Sequence, residues 1–219
     1  DYLPLTIFPN QYTCGDLNDD NQIDVIDVVG IVNIAFRSGE PPTPPWVADI
    51  NGDGITSDIV DVVGLINHAF RSAPAPTCYG GSNDIQASTT LTLSKTTEGL
   101  SVLSNLDRDV VGMQFDLTYD PNKVNIVEVK GTTKTSEMTI TNKQVSSGKN
   151  RIAIYSNDGE KRISSGTGSL LTIKISGTDL RSLKIVPIVV DYETGKKFSA
   201  VKINNKLFSV KEINSNAFN

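Results

Sequence analysis

The sequence predicts a two-domain chain: a small α domain of two loop–helix repeats, followed by an all-β, jelly-roll-like sandwich. Three observations predict it. A near-duplicate segment recurs after 34 residues, "DVVGIVNIAFRS" from Asp27 and "DVVGLINHAFRS" from Asp61, identical at nine of twelve positions. Beyond Asp84 the texture changes to short β-branched runs of alternating polarity. The charge changes as well. Residues 1–80 carry eleven acids against Arg37 and Arg71, a net of −9, whereas residues 81–219 carry fourteen acids against eighteen bases, a net of +4.

Residues 1–13, "DYLPLTIFPNQYT", read as an extended apolar arm. Leu3, Leu5 and Ile7 alternate, while Pro4 and Pro9 keep the segment out of a central strand. Such an arm packs on its own chain or docks into a neighbouring copy. A start at "DYLPL", without Met, suggests a processed N-terminus.

Residues 14–79 form the predicted α domain. In "GDLNDDNQID", Asp16, Asn18, Asp20, Gln22, Asp24 and Asp27 fall at positions 1, 3, 5, 7, 9 and 12. That is the oxygen ladder of a calcium loop. Ca²⁺ takes six to eight hard oxygens, and alternate residues of a tight loop point inward. Gln22 is expected to act through its main-chain carbonyl and Asp24 through a water. The helix that follows carries Val28, Val29, Val32, Ala35 and Phe36 at amphipathic spacing. "PPTPP" stops it, because proline withholds an N–H and fixes φ.

The second loop, "ADINGDGITSD", repeats Asp49, Asn51 and Asp53, but its helix-aligned acid, Asp61, lies one residue further on. Its expected ligands are Asp49, Asn51, Asp53, a carbonyl from Ile55 or Thr56, Asp58 and Asp61. Asp58 also stands where a helix N-cap belongs. Val62, Val63, Ile66, Ala69 and Phe70 repeat the apolar stripe. A segment of net −9 repels itself, so two Ca²⁺ ions are expected in it. Cys14 and Cys78 bracket the repeats, and the expected disulfide implies an oxidising setting.

Residues 80–84 read as a linker and 85–219 as the sandwich domain. The runs "STTLTLS", "GLSVLSNL", "VVGMQFDLTYD", "KVNIVEV", "EMTITNKQV", "RIAIYSN", "SLLTIKISG", "LKIVPIVVDYE", "FSAVKI" and "KLFSVKEI" are strands of period 2, nine or ten in all.

The segment at about 14–79, with paired twelve-residue loops each followed by one helix, resembles a type I dockerin. Residues 85–213 resemble a cohesin, on "VVGMQFDLTYDPNKVNIVEV", "YSNDGEKRISSGTGSLLTIKISG" and "KINNKLFSV". The resemblance implies that the two positions before the last calcium ligand select a partner. These positions, often hydroxyl residues in dockerins, are here Val25-Ile26 and Ile59-Val60, apolar pairs that need covering.

No nucleophile motif or phosphate loop is present. Asp107 with Asp109, and Asp158 with Glu160, sit in basic turns and read as solvated loops rather than catalytic pairs. His68, the single histidine, replaces Ile34 of the first helix and is expected to pack or face solvent. Trp46 is expected to cap the helical core. No apolar run reaches the roughly 18 residues that span a bilayer, and the charge does not suit nucleic acid. The expected protein is therefore an extracellular, non-catalytic, calcium-stabilised structural module. It is expected to pair head to tail with other copies of itself into a filament, or with a cohesin or dockerin partner as a cellulosome-type adaptor that binds a different protein or a polysaccharide-degrading enzyme.

Overall fold

The computed structural model describes residues 12–79, 84–97, 99–177 and 179–206. Most of the predicted arm, the tenth strand and the C-terminal "INSNAFN" lie outside them. Two helices come first, α1 (Val25–Arg37) and α2 (Ile59–Arg71), with a 3₁₀ turn at Pro45–Ala48 between them. Among the described residues nine strands follow: β1 (Ile85–Lys95), β2 (Gly99–Leu106), β3 (Val110–Thr118), β4 (Val124–Gly131), β5 (Thr139–Ser146), β6 (Lys149–Tyr155), β7 (Gly166–Gly177), β8 (Lys184–Asp191) and β9 (Phe198–Lys206).

The strands build two sheets. One has five strands in the order β4-β7-β2-β1-β9, and the other has four in the order β5-β6-β3-β8. All pairings are antiparallel except β1 with β9. Period 2 fills the space between the sheets. Leu91, Val102, Phe115, Ile154, Leu171 and Val189 meet there, fully or nearly buried.

Each helix begins with a capping box. Asp24 accepts from Ile26 N–H and Asp27 reaches back to Asp24 N–H; Asp58 and Asp61 do the same for α2. Each helix ends at a left-handed serine, Ser38 or Ser72. In the second repeat a glycine lets the loop press onto the helix. At Gly64 a Cβ would lie 2.9 Å from Ile50 Cγ2. Cys14 and Cys78 form the expected disulfide, which closes the repeat region. In the chain-entropy model a loop of this length contributes about 4 kcal/mol.

The helical core does not stand alone. Ile31, Val32, Phe36, Ile59, Val63 and Ile66 join Val111, Ala153, Tyr155 and Val190 of the four-stranded sheet in one continuous cluster. Trp46 packs against this cluster, as expected. Two residues of the predicted stripes are not core: Val29 and Phe70 are exposed. The sheet offers one face, so it takes the N-terminal half of α2 and the C-terminal half of α1. The positions left outward are Val25, Ile26 and Val29 of α1 and Phe70 of α2.

Candidate interaction face and acidic loops

The face begins with alternation along three strands. While Met113, Ile154 and Val189 point between the sheets, Gly112, Gln114, Ala153, Tyr155 and Val190 point outward, where the helices lie. Gly112 is the seat of α2. A Cβ there would meet Ile59 Cγ1 and Val63 Cγ2, both at 3.0 Å. Phe36 of α1 stacks on Tyr155 with ring centroids 5.4 Å apart.

Polar contacts fix the helix ends. Ile59 N–H, an orphan donor of the first turn of α2, donates to Gln114 Oε1 at 3.2 Å, and both residues are buried. Lys143 Nζ donates to the Ile34 carbonyl near the end of α1 at 3.1 Å. A cation at a helix C-terminus complements the macrodipole. At the rim, Arg71 Nη1 donates to the Tyr192 carbonyl at 2.9 Å, and its guanidinium lies 4.6 Å from the Tyr192 ring centre.

The repeat makes the uncovered face legible. Ile59, Val60 and Val63 are buried, whereas their counterparts Val25, Ile26 and Val29 are 51, 56 and 52% exposed. Phe36 is buried, whereas Phe70 is 44% exposed. Of the two apolar pairs expected to need covering, Ile59-Val60 is covered and Val25-Ile26 is not.

The acidic loops share one hydrogen-bond pattern. Asp16 accepts from the N–H groups of Asp20 and Asn21, and Asp49 accepts from those of Asp53 and Gly54. Asn18 Nδ2 donates to Asp20, and Asn51 Nδ2 to Asp53. Gln22 N–H donates to Asp20, and Ile55 N–H to Asp53. The last acid of each loop also accepts from its start, but one position apart: Asp27 from Leu17 N–H, at position 2, and Asp61 from Asn51 N–H, at position 3. Gln22 and Ile55 are therefore equivalent, which places Ile55 rather than Thr56 at the seventh position. The extra residue is absorbed just after it, with Ser57 buried at φ +61°.

The donors suit a hard divalent cation. They are all oxygen, with four carboxylates per loop, and none of the eight forms an ion pair among the described residues. Asp58 and Asp61 lie under the interface and are buried. Burial raises the Asp58 carboxyl above its usual range. Burial, reinforced by the charge of Asp58, pushes Asp61 up to about 8. Among the described residues, no three Asp, Glu, His or Cys side chains converge on one point.

The acids set aside as catalysts hold structure. Asp107 accepts from Ser88 N–H, and Asp109 from Ser165 N–H. A hollow of about 310 Å³ beside Tyr192 is crossed by the ion pairs Arg108–Asp191 and Arg162–Asp109, 2.9 and 3.0 Å long. Asp158 accepts from Ser156 and from Glu160 N–H. His68 contacts the Ala73 carbonyl at 2.8 Å.

The cohesin-domain family model matches residues 100–210, half of the chain. The chain belongs to the cohesin family. Cohesin domains are non-catalytic interaction modules, which accords with the acids' structural roles. Similar solved structures include a non-cellulosomal cohesin of the archaeon Archaeoglobus fulgidus, at 20% identity over 61% of this chain and 100% of that one, with TM-score 0.43. The cohesin module of a Clostridium perfringens family 33 glycoside hydrolase is 14% identical over 55% and 98%, with TM-score 0.40. A type I cohesin–dockerin complex from Clostridium thermocellum is 10% identical over 61% and 99%, with TM-score 0.41. A comparison with curated proteins finds no match. The cohesin match lies wholly within the sandwich, and the two helices precede it. Among the described residues, no helix of this cohesin is long and apolar enough to cross a membrane.

Proposed function

We propose that this chain is an extracellular, non-catalytic structural protein in which a dockerin-like, calcium-stabilised helical unit serves a cohesin sandwich. Copies join head to tail, unit to sandwich, into a filament. One observation carries the reading: a chain of the cohesin family places its own helical unit on a sheet face through Ile59, Val63 and Phe36. The opposite charges of the two parts favour the same pairing between copies. The first Ca²⁺ would be held by Asp16, Asn18, Asp20, the Gln22 carbonyl, Asp24 and Asp27. The second would be held by Asp49, Asn51, Asp53, the Ile55 carbonyl, Asp58 and Asp61. Each ion would relieve carboxylate repulsion and fix the first turn of a helix. The disulfide suits an extracellular site. Mass measured in calcium at rising concentration should reveal oligomers; monomer throughout would overturn the filament.

The free face favours a second reading. Val25, Ile26, Val29 and Phe70 copy the docked face and remain exposed. A cellulosome-type adaptor would present them to another protein's sheet. Recovery of a cohesin-bearing partner by the native chain, and not by Val29→Asp, would support the adaptor.

A further inference from the structure

We infer that the helical unit is an exchangeable cover: the outer face of the four-stranded sheet, closed by the unit of its own chain, takes the same unit from a second copy. The inference rests on the self-assembly reading above and names the surface and the route. The sheet recognises the unit by features that do not depend on which copy supplies it. Gly112 receives the ridge of Ile59 and Val63, and Tyr155 receives Phe36. Gln114 takes the N-terminal N–H of one helix and Lys143 the C-terminal carbonyl of the other. An apolar ridge bounded by two opposite helix ends is a directional key.

The unit can leave as one body. Its disulfide joins Cys14 to Cys78, both within the unit. Only the chain from Tyr79 to Asp84 ties it covalently to the sandwich. The rim contacts at Arg71 and Lys143 are polar and partly solvated, so they can loosen without dismantling the unit. Charge then directs its next contact. Residues 14–79 carry ten acids against Arg37 and Arg71, a net of −8, and stay acidic with two Ca²⁺ bound, so two units repel each other, whereas a unit and a sandwich attract. The contact is heterologous, so exchange between copies propagates or closes into a ring. The cis unit competes at an effective concentration of about millimolar. Dilute protein is therefore closed and monomeric.

Two full-length variants test this in calcium. In one, Ile59→Asp with Val63→Asp disables the unit; in the other, Gly112→Leu disables the face. Each alone should be monomeric. Mixed in equal amounts they should form a 1:1 complex by light scattering, the sound unit of one on the sound face of the other. A third variant, Arg71→Ala with Lys143→Ala, spares the apolar contact. It should speed label exchange between copies about tenfold, because two charge-assisted contacts are lost. No complex and no faster exchange would overturn the inference. If the native chain assembles without that complementation, the filament reading stands and exchange falls. If complementation occurs while the native chain stays monomeric, exchange stands and the filament falls.

Discussion

Asp61 shows how much one residue carries. Its carboxylate accepts from the N–H groups of Asn51 and Asp58, ties the loop to the first turn of α2, and is fully buried. Burial and Asp58 push it up to about 8, from a model-peptide value of 3.8. A carboxyl with a raised folded pKa favours the fold while protonated, so metal-free stability should fall as pH rises from about 4 to about 8. One such group sets a slope of up to about 1.4 kcal/mol per pH unit. Calcium should remove that loss, because the ion takes the proton's place. Asp61→Asn should flatten the metal-free slope and shrink the calcium response to the part that the first loop supplies. Thermal melts from pH 5 to pH 8, with calcium and with EDTA, check both. A native melt in EDTA that rises with pH would defeat the assignment. Gly112 is a second such residue. A leucine there must displace Ile59 and Val63. Overpacking of this kind costs about 1–3 kcal/mol, to be read as a lowered denaturation midpoint of the helical unit.

At the scale of the element, the loops, caps and strands were legible because each depends on local chemistry. Asp24 and Asp58 stand one residue before their helices and cap them. Asp58→Ala should cost about 0.5–2 kcal/mol in urea melts, and more in calcium if the ligand is lost too. The first nine quoted runs are β1 to β9, and period 2 shows most plainly in β1 and β2, where buried and less buried residues alternate; β3, under the helices, is buried on both faces. Their order in space was not legible: alternation says which side of β9 is apolar, not that it lies parallel beside β1. The helices also showed the limit of local reading. α1 and α2 have nearly the same sequence, yet Val63 is buried and Val29 is not. The difference lies in the single sheet face, which periodicity within either helix cannot report. The inserted residue of the second loop was visible as a count. Its place just after Ile55 required the hydrogen bonds to Asp53 and Asp61. The disulfide was legible from position alone. Cys14→Ser with Cys78→Ser should cost about 4 kcal/mol, measured as a lower melting temperature that reducing agent no longer changes.

At the scale of the whole molecule, two cores meet at one sheet and differ in what they depend on. Among the described residues, the core between the sheets, with Leu91, Phe115, Ile154 and Val189, contains no residue of α1 or α2. The core outside the four-stranded sheet draws on both helices, on their disulfide and, in the proposed function, on two ions. Removing the ions and reducing the disulfide should therefore unmake the second core and leave the first. Calorimetry in calcium should show one transition, because the shared cluster couples the parts. With EDTA and reductant it should split, the helical unit melting first and the sandwich later. Between the two steps Val111, Ala153, Tyr155 and Val190 would face water as one apolar patch. Such a patch binds hydrophobic dye and promotes association. Dye fluorescence should rise in that interval and fall when calcium is restored under oxidising conditions. A single unsplit transition with no dye signal would mean that the helices owe their fold to the sheet alone. The ions and the disulfide would then be incidental to the cover.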